Sequence, residues 1–315
     1  MMVKVAVLCN NRMAIPALQN LYSQGKLCAI GVPADNSDVM DFCVMLAKQS
    51  HISLMIIQKE NLLDQIDEFV TLCNADFIFT MTFPWKIPDV ILNRHPDKFY
   101  NFHYGLLPEM RGADPVFESI RSTSSETGIT VHRIENKIDK GAIILKKVIP
   151  LNSGMTHGVL CTNLAWLGSG LLSELLNSLQ NNIEGQEQDE AKARYYKKPT
   201  ANDVCISWHH NDAKTIEALS RACNPWNKGA YTQWNGWNIR VVEATVIHYE
   251  TNQSYSPGTI ITLDDKNGLI VKCNNETYLR LDIIYTDEGF MSAYKLLSFG
   301  VKKGSSFVSL KSENN

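Results

Sequence analysis

The sequence predicts an α/β fold, a doubly wound and mostly parallel sheet, followed by a smaller C-terminal antiparallel β-barrel domain. Three observations carry that reading. Short β-branched runs alternate with segments of helical period as far as residue 150, as in a parallel sheet covered on both faces. A polar, charged stretch over 182–193, running into Tyr195-Tyr196-Lys197-Lys198-Pro199, has the composition of a linker. Beyond it, runs rich in Val, Ile, Thr and Tyr are separated by turn signals such as Asn235-Gly236 and Asn267-Gly268. A chain of 315 residues exceeds what one hydrophobic core usually supports, so two domains are expected, 1–199 and 200–315.

Taken in order, residues 3–8 form a β-branched apolar run, after which Ala14, Leu18 and Leu21 recur at helical spacing. Residues 27–32, 53–57 and 76–80 read as further strands, with 39–49 and 62–73 as the helices between them. The strand 99–103 continues the sheet, 115–122 is helical, 127–134 and 142–149 are strands, and 157–181 is a long amphipathic helix. In the second domain 213–223 is helical, and 230–234, 237–247, 258–263, 268–272 and 277–284 are strands.

Composition narrows the function. With 44% hydrophobic and 20% charged residues the chain is that of an ordinary globular protein. A net charge of −3 provides no overall attraction for a polyanion, which counts against nucleic acid as the main partner. The eight cysteines are scattered singly without a CxxC pair and read as reduced core residues. No charged-then-apolar leader and no run of eighteen apolar residues is present, so neither secretion nor membrane spanning is expected and a cytoplasmic enzyme fits best. The turn over 9–14 contains no glycine, so backbone cannot approach a pyrophosphate there and a dinucleotide site is excluded. No metal site is expected, since the histidines are dispersed and His209-His210 lacks a third ligand at suitable spacing.

The most informative stretch runs from Asn101 through His103 to Pro115. In an alternating strand Asn101 and His103 share one face, about 6–7 Å apart. A positioned amide N–H stabilises a developing oxyanion and a near-neutral imidazole manages protons, so the pair suits acyl transfer to an amine. On spacing alone a purely hydrogen-bonded structural pair remains open, as does a simple turn role for Asp139.

The whole string resembles the folate-dependent formyltransferase family. There a strand with Asn-x-His runs into Ser-Leu-Leu-Pro and Arg-Gly-x-x-Pro; here the counterparts are Asn101-Phe102-His103-Tyr104-Gly105-Leu106-Leu107-Pro108 and Arg111-Gly112-Ala113-Asp114-Pro115. Glu126-Thr127-Gly128-Ile129-Thr130-Val131-His132 is similar to the family's Glu-Thr-Gly-Val-Thr strand, and Ile138-Asp139-Lys140-Gly141-Ala142-Ile143-Ile144 to its Asp-Thr-Gly-x-Ile-Leu segment. In the second domain Arg221-Ala222-Cys223-Asn224-Pro225-Trp226-Asn227-Lys228-Gly229-Ala230-Tyr231 resembles the family's Arg-Ala-x-Asn-Pro-Trp-Pro-Gly-Ala-Tyr, a packing joint rather than a catalytic motif.

The resemblance implies a Rossmann-like catalytic domain with an OB-like second domain, and transfer of a formyl group from 10-formyltetrahydrofolate to an amine without a metal. It implies that Asn101 donates to the oxyanion, that His103 assists proton movement, and that Asp139 orients His103 and accepts the amine's proton. Phe83, Trp85 and Ile87, with Leu106, Leu107, Pro108 and Ile138, are the candidates for a folate slot, the first three reading equally well as core. Arg111 and Lys140 are the candidates for substrate contact.

Several positions depart from the family. Gly105 replaces serine, Glu135-Asn136-Lys137 replaces Asp-x-Gly, and Lys140 replaces threonine. Where methionyl-tRNA formyltransferases carry a long basic insertion, residues 32–39 are short and acidic, which removes phosphate contacts. The expected acceptor is therefore a small-molecule amine, such as an amino sugar on a nucleotide carrier. A methionyl-tRNA formyltransferase, for which Lys197, Lys198, Lys228, Arg240, Lys302 and Lys303 would supply a basic face, is the alternative. A catalytically silent folate- or partner-binding relative is a second, opposed by the presence of all three polar residues. A homodimer through the second domain is compatible with the sequence.

Overall fold

The computed structural model describes residues 2–35 and 38–309. Asn36 and Ser37, in the turn singled out above, lie outside the described residues. Along the chain the elements are β1 (Val5–Cys9), α1 (Ile15–Ser23), β2 (Leu27–Pro33), α2 (Met40–Lys48), β3 (Ser53–Ile57), α3 (Leu62–Cys73), β4 (Phe77–Met81), α4 (Asp89–Arg94), β5 (Phe99–His103), β6 (Arg111–Gly112), α5 (Pro115–Arg121), β7 (Glu126–Arg133), β8 (Ile143–Pro150), α6 (His157–Gln180) and β9 (Tyr195–Tyr196). Then follow α7 (Ala213–Ala222), β10 (Ala230–Trp234), β11 (Trp237–Ile247), β12 (Ile260–Asp264), β13 (Gly268–Lys272), β14 (Tyr278–Thr286) and β15 (Gly289–Ser292).

The first compact unit comprises Met1–Pro115, Thr127–Ile149 and Cys161–Tyr196. Its sheet has the order β3-β2-β1-β4-β5-β7-β8. Strands β1 to β5 run parallel and β7 is antiparallel to β5. All five residues of β1 are fully buried, as a central strand covered on both faces requires. Helix α3 buries Ile66, Phe69, Val70 and Cys73, the i, i+3, i+4, i+7 stripe of an amphipathic helix, and ends on Asn74 in the left-handed conformation. That stripe packs with Leu8, Ile57, Ile78 and Phe99. Helix α6 is long and apolar enough to cross a bilayer by length and composition. Half of its most apolar stretch is nevertheless buried within the protein, and Leu164, Leu172, Leu175 and Leu176 are core.

The second unit comprises Val116–Glu126, Pro150–Leu160 and Lys197–Asn315. Its antiparallel sheet has the order β10-β11-β14-β13-β12, with β15 on β14. Asn235 and Gly236, both at positive φ, make the two-residue turn between β10 and β11, the geometry that matches strand twist. Past β15 the chain returns to both edges: Val308 N–H donates to Gln233 O (2.8 Å) and Phe307 N–H to Gly258 O (3.0 Å). This closes the sheet around Trp208, which is fully buried, stacks on Phe307 and donates to Thr232 Oγ1 (2.9 Å).

Two differences from the sequence expectation bear on the site. Residues 182–193 are not a free linker: Gln186 exchanges backbone hydrogen bonds with Ile143, and Gln188 and Glu190 bond Arg111. The polar composition of this segment reflects side chains that reach specific partners. The two-residue strands β6 and β9, paired in parallel, were also invisible, because two residues carry no period. No disulfide joins the eight cysteines, and five of them are buried.

Candidate active site

Three adjacent strands place one polar residue each in a single row. Thr80 on β4 is the register partner of Asn101 on β5, and Asn101 is the partner of His132 on β7. Side chains at paired positions share a sheet face, so the three meet. Thr80 Oγ1 donates to Asn101 Oδ1 (2.7 Å), and Asn101 Nδ2 lies 3.2 Å from His132 Nε2. His103, two residues along β5, occupies the next row beside Thr130. Thr130 Oγ1 donates to Gly105 O (2.8 Å) and accepts from Leu107 N–H (3.1 Å), which ties the loop after β5 to the sheet. Lys146 Nζ holds the same loop through Leu107 O (2.7 Å).

His103 Nε2 lies 2.6 Å from Met110 O. A carbonyl only accepts, so Nε2 carries the proton and Nδ1 presents its lone pair. Nδ1 is 3.7 Å from Asp139 Oδ1, beyond hydrogen-bond reach. The expectation that Asp139 orients His103 is therefore corrected: the Met110 carbonyl holds the ring. What Nδ1 and Oδ1 form instead is a pair of converging acceptors, a place to receive a proton from an incoming N–H. Burial pushes the His103 pKa below its ordinary value, and Asp139 offsets this only in part, so the imidazole is neutral at neutral pH.

Asp139 is buried at positive φ (56°). Burial alone would raise its pKa, but the neighbouring His132 and His103 rings and the Gly112 N–H (2.9 Å to Oδ2) together hold it below the usual carboxylate range. Glycine at 112 is required twice over. Its φ is 120°, and a Cβ there would sit 1.9 Å from Tyr196 O. The departure at Gly105 also has a physical reason: a Cβ would come within 2.5 Å of the Pro115 side chain, so serine does not fit.

Arg111 is not free to meet a substrate. Arg111 is 2% exposed, and its guanidinium donates to Gln188 Oε1 (2.8 and 3.1 Å) and to both Glu190 oxygens (2.8 and 3.1 Å). Gln188 Nε2 in turn donates to the carbonyls of Asp139 (2.9 Å) and Gly141 (2.8 Å), so this network shapes the Asp139 loop. Lys140 Nζ donates to Glu190 Oε2 (3.0 Å). The two cations hold the exposed Glu190 carboxyl at about 2.

A cavity of about 710 Å³ lies along the loop before Asp139, lined by Leu92, Phe99, Ile134, Asn136, Lys137 and Lys140 among others. Its size is that of a small-molecule site. None of the expected slot residues lines it, and neither do Asn101, His103 and Asp139. Ile87 is core, packed with Ile91, Leu92 and Phe99, and Phe83 and Trp85, edge to face at 5.4 Å, pack against that core. Leu107 and Pro108 are buried and Leu106 is half-buried, while Ile138 is 51% exposed.

The formyl transferase family model matches residues 31–176, and its C-terminal domain model matches residues 198–297. The methionyl-tRNA formyltransferase of Bacillus subtilis is 32% identical over 71% of this chain and 69% of its own length. The chain belongs to the formyltransferase family. The methionyl-tRNA formyltransferases of Pseudoalteromonas translucida (32% identity, 67% of this chain) and Halothermothrix orenii (29%, 80% of this chain) are also similar; this formyltransferase spans 64% of the length of the former and 81% of the latter. Among solved structures, WlaRD, a sugar 3N-formyl transferase with dTDP and 5-N-formyl-THF present, superposes with a TM-score of 0.64 at 17% identity, covering 89% of this chain and 97% of its own. The Helicobacter canadensis N-formyltransferase, in complex with folinic acid and dTDP-3-aminofucose, gives 0.64 at 19% identity, covering 88% and 98%. That likeness shows a shared fold.

Sequence reasoning about this formyltransferase missed Thr80, Thr130, His132, Gln188 and Glu190 as parts of the site. One signal was present: Thr130 and His132 share one face of the strand and alternate with apolar Ile129 and Val131, and buried polar side chains need partners.

Proposed function

We propose that this formyltransferase moves the formyl group of 10-formyltetrahydrofolate to the primary amine of a small molecule, an amino sugar on a nucleotide carrier being the favoured class. The observation that carries the chemistry is the convergence of His103 Nδ1 and Asp139 Oδ1, 3.7 Å apart, beside the Asn101 amide. The bound folate supplies a formyl carbon activated for attack.

Three groups divide the work. Asn101, half-buried, donates an N–H to the formyl oxygen as it gains charge. Neutral His103 accepts a proton from the attacking amine at Nδ1 while Met110 O keeps the ring still. Asp139, ionised, stabilises the imidazolium that results and offers the second acceptor. Arg111 and Gln188 hold the Asp139 loop in place and touch no substrate in this scheme.

The small-molecule reading is supported by the net charge of −3 and the short turn over 32–39. The tRNA reading is favoured by the sequence relatives, which are methionyl-tRNA formyltransferases. Single-turnover release of tetrahydrofolate from 10-formyltetrahydrofolate, with amino-sugar nucleotides and initiator methionyl-tRNA offered in parallel, decides between them. Release with a sugar nucleotide, lost in His103→Ala, is expected; release with tRNA alone would overturn the substrate class, and no release with any acceptor would overturn the transfer reading.

A further inference from the structure

Asn101 can serve as an oxyanion donor only if its amide points the right way, and its own contacts do not all decide that. Thr80 meets Asn101 through a hydroxyl, which can donate to an amide oxygen or accept from an amide nitrogen with equal ease. His132 is different. Its Nδ1 lies 2.8 Å from Arg133 O, an atom that only accepts, so Nδ1 carries the ring's proton and Nε2 presents a lone pair. Nε2 is 3.2 Å from Asn101 Nδ2 and 3.6 Å from Asp139 Oδ1. The first distance is within reach of an N–H···N bond and the second is not.

We infer that His132 is a positioning residue for Asn101: the Arg133 carbonyl sets the His132 tautomer, and the Nε2 lone pair then selects the amide orientation that leaves one Asn101 N–H for the formyl oxygen. The chain of constraint is complete. Arg133 O takes the Nδ1 proton, Nε2 takes one Nδ2 proton, Thr80 donates to Oδ1, and the second Nδ2 proton remains. A flipped amide would set its oxygen against the Nε2 lone pair, which repels it, and would carry the free N–H to the Thr80 side of the row. Exposure agrees with this division. Thr80 and His132 are 4% and 2% exposed, whereas Asn101 is open on one side. Register makes the arrangement robust, because all three residues are direct cross-strand partners on adjacent strands, and rigid elements position groups better than loops do.

The inference rests on the formyl-transfer reading for its catalytic consequence, but not for its structural core, which is testable on the free protein. Histidine labelled with ¹⁵N should show His132 as the neutral Nδ1–H tautomer at neutral pH; an Nε2–H tautomer or a doubly protonated ring overturns the inference, whether or not the enzyme transfers formyl groups. In single-turnover transfer from 10-formyltetrahydrofolate, His132→Leu should slow the step by roughly 10- to 10²-fold without changing acceptor affinity, short of the roughly 10²–10³ for deleting an oxyanion donor. His132→Gln, which can again present an acceptor, should recover most of that loss. In an Asn101→Ala background His132→Leu should add nothing, since the two act as a unit. A multiplicative double mutant, or an effect confined to affinity, would overturn the inference, and a wild-type chain with no transfer would instead overturn the function.

Discussion

Two cross-strand rows of three residues, one in each unit, show how burial changes what polar side chains can do. In the first unit Thr80, Asn101 and His132 lie on β4, β5 and β7, joined by directional hydrogen bonds of 2.7 and 3.2 Å. In the second, Tyr231, Arg240 and Tyr285 lie on β10, β11 and β14. There the Arg240 guanidinium sits 5.3 Å over the Tyr231 ring and Lys228 Nζ 4.2 Å over the Tyr285 ring, in a cleft of about 370 Å³ that Trp226 and Asp287 also line. In the first row every side-chain donor is committed but one, the second Asn101 Nδ2 proton. The second row is half-buried, its cations rest on aromatic faces, and Lys228 Nζ also donates to the Tyr285 hydroxyl (2.9 Å). Chemistry that needs one atom in one place belongs to the first.

The sharpest break of that contrast is His103→Ala, expected to lower the rate of formyl transfer by about 10²–10⁴-fold and to cost about 1–3 kcal/mol of stability, since it leaves the Met110 carbonyl unpaired at a buried site. Single-turnover kinetics with a melting curve alongside checks both halves. Next comes Gly112→Ala. The φ of 120° costs a side chain roughly 1–3 kcal/mol, and the clash with Tyr196 O would displace the N–H that holds Asp139. Chemical denaturation should show the destabilisation, and the rate should fall with it.

The pH profile tests the burial of His103 directly. Its folded pKa is depressed below 6.5, so the folded state binds fewer protons than the unfolded one over that window. Neutral imidazole, and with it both activity and this residue's stabilising contribution, is present above the window and is lost as pH falls through it. The acid limb of the transfer rate should lie below pH 6.5; a limb at or above it would mean that the ring is solvated.

Smaller effects separate the charged residues. Lys140→Ala removes one partner of an exposed carboxylate and should change stability by no more than about 0.5 kcal/mol, with acceptor KM altered less than about threefold. Smallest of all, Lys228→Ala and Arg240→Ala should leave transfer to a small amine within about twofold of wild type. If the acceptor is RNA, the same changes should weaken binding and shallow its salt dependence by about one unit of slope each, which would make the second row a phosphate contact and erase the contrast.

The alternation of strands and helices, the antiparallel second domain and the strand bearing Asn101 and His103 were legible from local pattern. Each is set by periodicity within ten or so residues, and β3, α3 and β5 fall on the residues their patterns predict. Helix α4 and strands β6, β9 and β15 were not legible, since six, two, two and four residues establish no period. Motif resemblance reached Asp139 but misjudged Arg111. An arginine in a motif carries no mark of whether its guanidinium faces a ligand or a glutamine 77 positions away.

The order of residues by itself determined the fold class, the elements that carry the site and the chemical kinds of group available there, because those follow from side-chain period and composition along the chain. Only the tertiary structure decided which groups are spent on one another and which remain for a substrate. Strand register placed His132 against Asn101, a glycine's missing Cβ let β9 pair at Gly112, whose N–H holds Asp139, and burial set His103 neutral. Each of these depends on distances between residues far apart in sequence, which no local pattern encodes.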